Sequence, residues 1–131
     1  MAAGILEHAN FSVSDPRKTA DMLCELFDWR IRWSGDAING GTTFHVGGPS
    51  ERGDSYVAVY ARKGMRAAPP NDYQTVGGLN HIGVVVEDLD AVEAKVLAAG
   101  FKTTNHGDYE PGRRFYFHDH DGIEFEVVSY P

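Results

Sequence analysis

The feature that most limits what this chain can become is an internal repeat. Leu6-Glu7-His8 opens the segment LEHANFSVSD, ending at Asp15, and Leu79-Asn80-His81 opens LNHIGVVVED, ending at Asp88. Leu6, His8, Val13 and Asp15 recur as Leu79, His81, Val86 and Asp88, each 73 residues on. A fixed period of this kind is the mark of a fold built from duplicated units. Both segments alternate as half-buried strands do. Ala9, Phe11 and Val13 oppose His8, Asn10 and Ser12; Ile82, Val84 and Val86 oppose His81, Gly83 and Val85.

Each strand then meets an acidic residue suited to cap a helix, since its oxygen can take an orphan N–H. Asp15 precedes Pro16, which fits the first helical position; in the second copy both Asp88 and Asp90 qualify. Residues 16–27 place Ala20, Leu23 and Phe27 on one face, widened by Met22 and Leu26, and residues 90–99 do the same with Val92, Val96 and Ala99. Gly100 is a natural helix terminator. Short β-like runs follow each helix: Arg30 to Trp33, Thr42 to Val46 and Tyr56 to Ala61, then Phe101 to Thr104, Arg114 to His118 and Ile123 to Ser129. The fold expected is α+β, two tandem βαβββ modules forming a curved mixed sheet around a metal-binding cleft. The modules span 5–63 and 78–130, joined by a linker, 64–77, that contains Pro69-Pro70. A half of about 60 residues buries little apolar surface by itself, so the whole of 1–131 is read as one domain.

Apolar alternates must cover the helix, so His8 and His81 face the cleft. In the last strand Ile123, Phe125 and Val127 face the helix, which turns Glu124 and Glu126 toward the histidines. Two imidazoles and a carboxylate on one concave surface suit Fe, Mn, Zn or Ni as a divalent ion. A metal also accounts for an ionised carboxylate inside a β-cleft, where burial without a partner is costly.

These strands and the ending Asp119-His120-Asp121-Gly122-Ile123-Glu124-Phe125-Glu126-Val127 resemble the vicinal oxygen chelate superfamily. That group includes glyoxalase I, extradiol dioxygenases, methylmalonyl-CoA epimerase, and the fosfomycin- and bleomycin-resistance proteins. The resemblance covers nearly the whole chain and implies His8, His81 and Glu126 as metal ligands. Relatives with four protein ligands carry a Glu or Gln on the last strand of the first half. Here that strand is Tyr56-Val57-Ala58-Val59-Tyr60, and either Tyr60 or Ala58 stands opposite Glu126, neither of them a carboxylate. The implied function is a divalent-metal-dependent enzyme that chelates vicinal oxygens of a small organic substrate and stabilises an enolate or oxyanion. The alternative is a metal-free binding protein of the bleomycin-resistance kind. Tyr60 and Tyr116 are the candidate catalytic phenols; Arg114, His118 and His45 are candidates for gripping substrate.

Other residues read more simply. Cys24, the single cysteine, sits in an apolar helical stretch and suits burial. His120 belongs to the turn before Gly122. His106 begins a Gly- and Pro-containing stretch, to Gly112, that reads as a lid. Trp29 and Trp33 read as core or interface residues. A net charge of −7 opposes a nucleic-acid role, which needs a basic face, although Arg113-Arg114 could hold a small anion. With 42% hydrophobic and 24% charged residues the chain has a globular composition. No signal-peptide pattern or spanning apolar run is seen, so a cytoplasmic protein without a membrane partner is expected. Exposed sheet edges favour association, and a homodimer is the expected assembly.

Overall fold

A computed structural model describes residues 2–48, 55–67 and 73–131. The linker prolines Pro69-Pro70 lie outside the described residues. In chain order the elements are β1 (His8–Ser12), α1 (Pro16–Phe27), β2 (Arg30–Ala37), a 3-10 turn (Ile38–Gly40), β3 (Gly41–Gly47) and β4 (Tyr56–Ala61). They continue with β5 (Ile82–Val85), α2 (Leu89–Ala98), β6 (Thr103–Tyr109), β7 (Gly112–His118) and β8 (Glu124–Ser129). The chain divides into two compact units, Met1–Arg66 and Ala67–Pro131.

Each unit is one helix on a four-stranded mixed sheet, ordered β1-β4-β3-β2 in the first and β5-β8-β7-β6 in the second. The first and last strands of each unit pair in parallel, and the remaining pairs are antiparallel. The repeat therefore extends from sequence to topology.

In the first unit the Asp15 carboxylate accepts from the backbone N–H of Lys18 at 3.2 Å and Pro16 starts α1, as the sequence suggested. The helix buries Ala20, Met22, Leu23, Leu26 and Phe27, and packs on β3 with further contacts to β2 and β4. Phe11, Val13, Val46, Val57 and Val59 fill the sheet side of that core. Cys24 is half-buried in the helix, and burial pushes its thiol up, which suits a structural role.

In the second unit Asp88, not Asp90, is the helix cap: its carboxylate accepts from Ala91 N–H at 3.0 Å. Asp90 lies in the first turn and pairs instead with Arg113 at 3.0 Å. Beyond the helix Gly100 takes φ +95°, and its N–H and that of Phe101 close on Leu97 and Val96 carbonyls. Phe115, Phe117, Phe125 and Val127 are wholly buried, with the Phe117 and Phe125 rings stacked at 5.1 Å. Each buried phenylalanine contributes about 2–3 kcal/mol.

Two strands depart most from their expected bounds. Strand β2 runs on to Ala37, and β6 begins at Thr103 and continues to Tyr109. The stretch read as a lid is the tip of a β6–β7 hairpin, paired out to Tyr109 and Gly112. His106 is held there by Glu93 of α2 at 2.6 Å, and Thr103 bonds the same carboxylate at 2.5 Å. Among the described residues, no helix is long and apolar enough to cross a membrane.

Candidate functional site

The two units are not equivalent on their helix-free faces. In the second unit the Asp119 turn sets the face. Its carboxylate, with Oδ1, accepts from Asp121 N–H at 2.8 Å and Ile123 N–H at 3.0 Å, and Gly122 follows the chain round at φ +78°. His120 stays in that turn, 3.6 Å from Asp121. The turn delivers β8 with Phe125 and Val127 in the core and Glu124 and Glu126 on the other side. Opposite them β7 presents His118 across from Glu124 and Tyr116 across from Glu126, with Arg114 at the next same-face position. His81 precedes β5 and reaches the same group.

Glu126 is the centre. Arg114 Nη1 donates to its Oε2 at 2.9 Å, and both side chains are about 15% exposed, 14% for the arginine and 15% for the glutamate. His81 Nε2 lies 3.2 Å from the other oxygen, Oε1. Glu124 is buried, accepts a hydrogen bond from the Tyr73 hydroxyl, and lies 3.5 Å from His118 Nε2. The bond to Glu124 pushes the Tyr73 phenol up to about 12. Burial, aided by Glu126, pushes Tyr116 up as well. Both phenols therefore stay protonated at neutral pH and act as donors rather than bases.

On the first unit's face His8, His45 and Tyr56 pack as rings. Tyr56 lies 5.0 Å from His8 and 4.8 Å from His45, and Trp33, half exposed, lies 5.0 Å from His45. The Arg32 guanidinium sits over Tyr56 at 5.2 Å. His8 Nδ1 is 2.8 Å from Glu7 Oε1, and the Tyr56 hydroxyl donates to the same oxygen at 3.3 Å. Burial, with His8 adding, pushes the His45 imidazole down, so it is neutral at pH 7. Trp33 is thus no core residue, whereas Trp29 packs on Phe27 at 5.2 Å.

Register now decides between Tyr60 and Ala58. Asn10 pairs with Ala58 in the first unit, and its repeat partner Gly83 pairs with Glu126 in the second. The antiparallel neighbours agree, with His45 opposite Ala58 and Tyr116 opposite Glu126. Ala58 is therefore the counterpart of Glu126, and Tyr56 the counterpart of Glu124. Tyr60 lies one pair further along the strand, its hydroxyl donating to the Ile38 carbonyl at 2.8 Å. The structure does not bring it to the ring cluster.

Tyr56, Tyr73, Glu7 and Asn80 were missed in the sequence. Tyr56 had a signal, because it shares the strand alternation with Ala58 and Tyr60. Tyr73 had none, as it lies in an irregular segment between the two repeats.

The family model of the Glyoxalase/Bleomycin resistance protein/Dioxygenase superfamily matches residues 5–127. The chain belongs to this superfamily. Three solved structures illustrate the superfamily fold. A glyoxylase/bleomycin resistance protein/dioxygenase domain from Frankia sp. EAN1pec has TM-score 0.79 and 22% identity, covering 100% of both chains. The antibiotic binding protein TnmS3 from Streptomyces sp. CB03234 has TM-score 0.75 and 20% identity, over 100% of this chain and 99% of that one. The fosfomycin resistance protein FosX from Listeria monocytogenes, complexed with Mn(II) and sulfate, has TM-score 0.70 and 21% identity, over 100% and 93%. No curated protein sequence matches the chain. Members of the superfamily include metalloenzymes and antibiotic-binding proteins, so membership leaves the chemistry to the residues.

Those residues are compatible with a divalent ion. Two donors that each lie about 2.0–2.2 Å from one ion, at tetrahedral or octahedral angles, stand roughly 2.8–3.6 Å apart. His81 Nε2 and Glu126 Oε1, at 3.2 Å, have that spacing. Among the described residues no group of three or more His, Cys, Asp or Glu side chains is gathered as a complete cage. The pair belongs to the second unit alone.

Proposed function

We propose that this chain is a divalent-metal-dependent enzyme of the glyoxalase/dioxygenase type, with His8, His81 and Glu126 as the protein ligands. The observation that carries the reading is the spacing of His81 and Glu126 on a polar sheet face, with Oε1 of Glu126, the oxygen not bonded by Arg114 Nη1, turned to the imidazole. FosX, a fold relative with Mn(II) bound, adds support. Bound there, Fe, Mn, Zn or Ni would supply Lewis-acid stabilisation of charge developing on vicinal substrate oxygens. Ala58 in place of a carboxylate leaves the proposed set at three protein ligands.

The chain's own residues supply the rest. Arg114 anchors one Glu126 oxygen, and its positive charge on this face favours an anionic substrate oxygen. Tyr116, kept protonated and bonded to Glu126, would turn its one donor to an oxyanion only when substrate is bound. His118, beside Glu124, extends the polar face, and neutral His45 offers an acceptor to a substrate hydroxyl. A separate reading, metal-free ligand binding, is favoured by one observation: Arg114 already neutralises Glu126. TnmS3, an antibiotic binding protein of the same fold, keeps that reading in view.

Metal analysis separates the two. The wild-type protein, purified without added metal and then reconstituted, is expected to hold about one transition-metal ion per chain, and a His8→Ala/His81→Ala variant none. Wild-type protein that stays metal-free after reconstitution with Mn²⁺, Fe²⁺, Zn²⁺ and Ni²⁺ rules the enzyme reading out.

A further inference from the structure

The residue before each repeat histidine differs but is polar in both copies: Glu7 precedes His8, and Asn80 precedes His81. Both side chains bond the same ring atom. His8 Nδ1 is 2.8 Å from Glu7 Oε1, and His81 Nδ1 is 2.5 Å from Asn80 Oδ1. Resting on the function proposed above, we propose that Glu7 and Asn80 are a matched pair of positioning residues. They hold the imidazole proton on Nδ1 of His8 and His81 and so present Nε2 as the ligating nitrogen.

The hydrogen bonds around each ring support this. A carboxylate accepts only, so the proton between Glu7 and His8 belongs to the imidazole. Glu7 is itself held, because the Tyr56 hydroxyl donates to the same oxygen at 3.3 Å, and the Tyr56 and His8 rings stack at 5.0 Å. At His81 the Asn80 oxygen is nearer to Nδ1, at 2.5 Å, than Glu126 Oε1 is to Nε2, at 3.2 Å. Tyr73 also approaches Nδ1, at 3.5 Å, but its hydroxyl proton goes to Glu124. It offers Nδ1 an acceptor, which again favours a proton on the ring.

A histidine whose Nδ1–H is tied has its ring plane and tautomer fixed, which is the usual way a ligand imidazole is aimed. The two partners differ in charge. The anionic Glu7 makes His8 a stronger donor than the neutral Asn80 makes His81, so the repeat preserves the geometry and varies the basicity.

The test reads tautomers first and metal second. Two-bond proton–nitrogen correlation spectra of the ¹⁵N-labelled, metal-free chain are recorded where both imidazoles are neutral, and assigned with His8→Gln and His81→Gln. The expected pattern is Nδ1–H for both rings. Glu7→Ala and Asn80→Ala each release only their own ring toward Nε2–H, and Glu7→Gln, which keeps an oxygen acceptor, restores the wild-type pattern at His8. Zn²⁺ affinity, read by competition with a chromophoric chelator, falls about 10- to 100-fold in each alanine variant.

A wild-type Nε2–H pattern, with His81 donating to Glu126, overturns the proposal. Tautomers that ignore the alanine substitutions also overturn it, as does unchanged Zn²⁺ affinity in a wild type that binds zinc. If the tautomers respond as expected but zinc binds to no variant, the positioning roles stand and the metal reading is what fails.

Discussion

Arg114 and Glu126 form a charge pair with little access to water, at 14% and 15% side-chain exposure, and Tyr116 is drawn to the same carboxylate. Removing one member leaves the other charge poorly solvated, an effect worth more than the pair's own attraction. Arg114→Ala is expected to lower stability by about 2–4 kcal/mol in urea unfolding of the metal-free protein, and Arg114→Lys by less. Register makes a second residue testable. Ala58 is 1% exposed and occupies the place of Glu126, whereas Tyr60 lies further along and only bonds Ile38. Ala58→Glu should destabilise the metal-free protein by more than about 2 kcal/mol, because it buries a charge without a guanidinium beside it. Tyr60→Phe loses one hydroxyl bond and should cost about 1 kcal/mol. At this scale His81, Glu126 and Arg114 were legible, because strand alternation alone puts them on one face. The choice between Ala58 and Tyr60 was not, since both share a face and only strand pairing separates them.

Helix α2 shows why boundaries are harder to read than elements. Asp88 and Asp90 both suit a cap in the sequence, and which one serves depends on backbone geometry: Asp88 is extended while Asp90 is already helical. Asp88→Ala should cost about 1 kcal/mol by thermal or denaturant unfolding. Asp90→Ala, which breaks only a surface pair with Arg113, should cost less than about 0.5 kcal/mol. The β6–β7 hairpin was obscured for another reason. Asn105, Gly107 and Pro111 are loop-like by composition, and a tertiary contact overrides them. Glu93 of α2 ties Thr103 and His106 of β6, and the Thr103 hydroxyl chiefly holds the Glu93 carboxyl below its ordinary value of 4.5, with His106 adding. A depressed carboxylate contributes stability that is fully present above the unfolded value and lost as pH falls through the folded one. Glu93→Gln should therefore be less stable than wild type by about 1 kcal/mol at neutral pH. That gap should close as the pH is lowered below about 4.5, in urea unfolding curves taken across the range.

The whole molecule is two copies of one topology with unlike faces. The first has Tyr56, His45 and Ala58 where the second has Glu124, Tyr116 and Glu126. The duplication was plain in sequence because the topology depends on strand alternation and capping, which tolerate change elsewhere. The divergence of the faces was less so, because it needs register as well as pattern. Metal binding as proposed would connect the two copies in a measurable way, since the proposed ligands come from both. A ligand at 100 times its dissociation constant stabilises the state that binds it by about 2.7 kcal/mol. Amides protected by opening reactions that release the metal should then exchange about 100-fold more slowly. If His8 ligates, saturating Zn²⁺ slows exchange in β1 and β4 as well as in β5 and β8. His8→Ala should abolish the effect in the first unit and weaken it in the second. Protection confined to β5 and β8, and indifferent to His8→Ala, would place the whole metal site in the second unit and remove His8 from the ligand set.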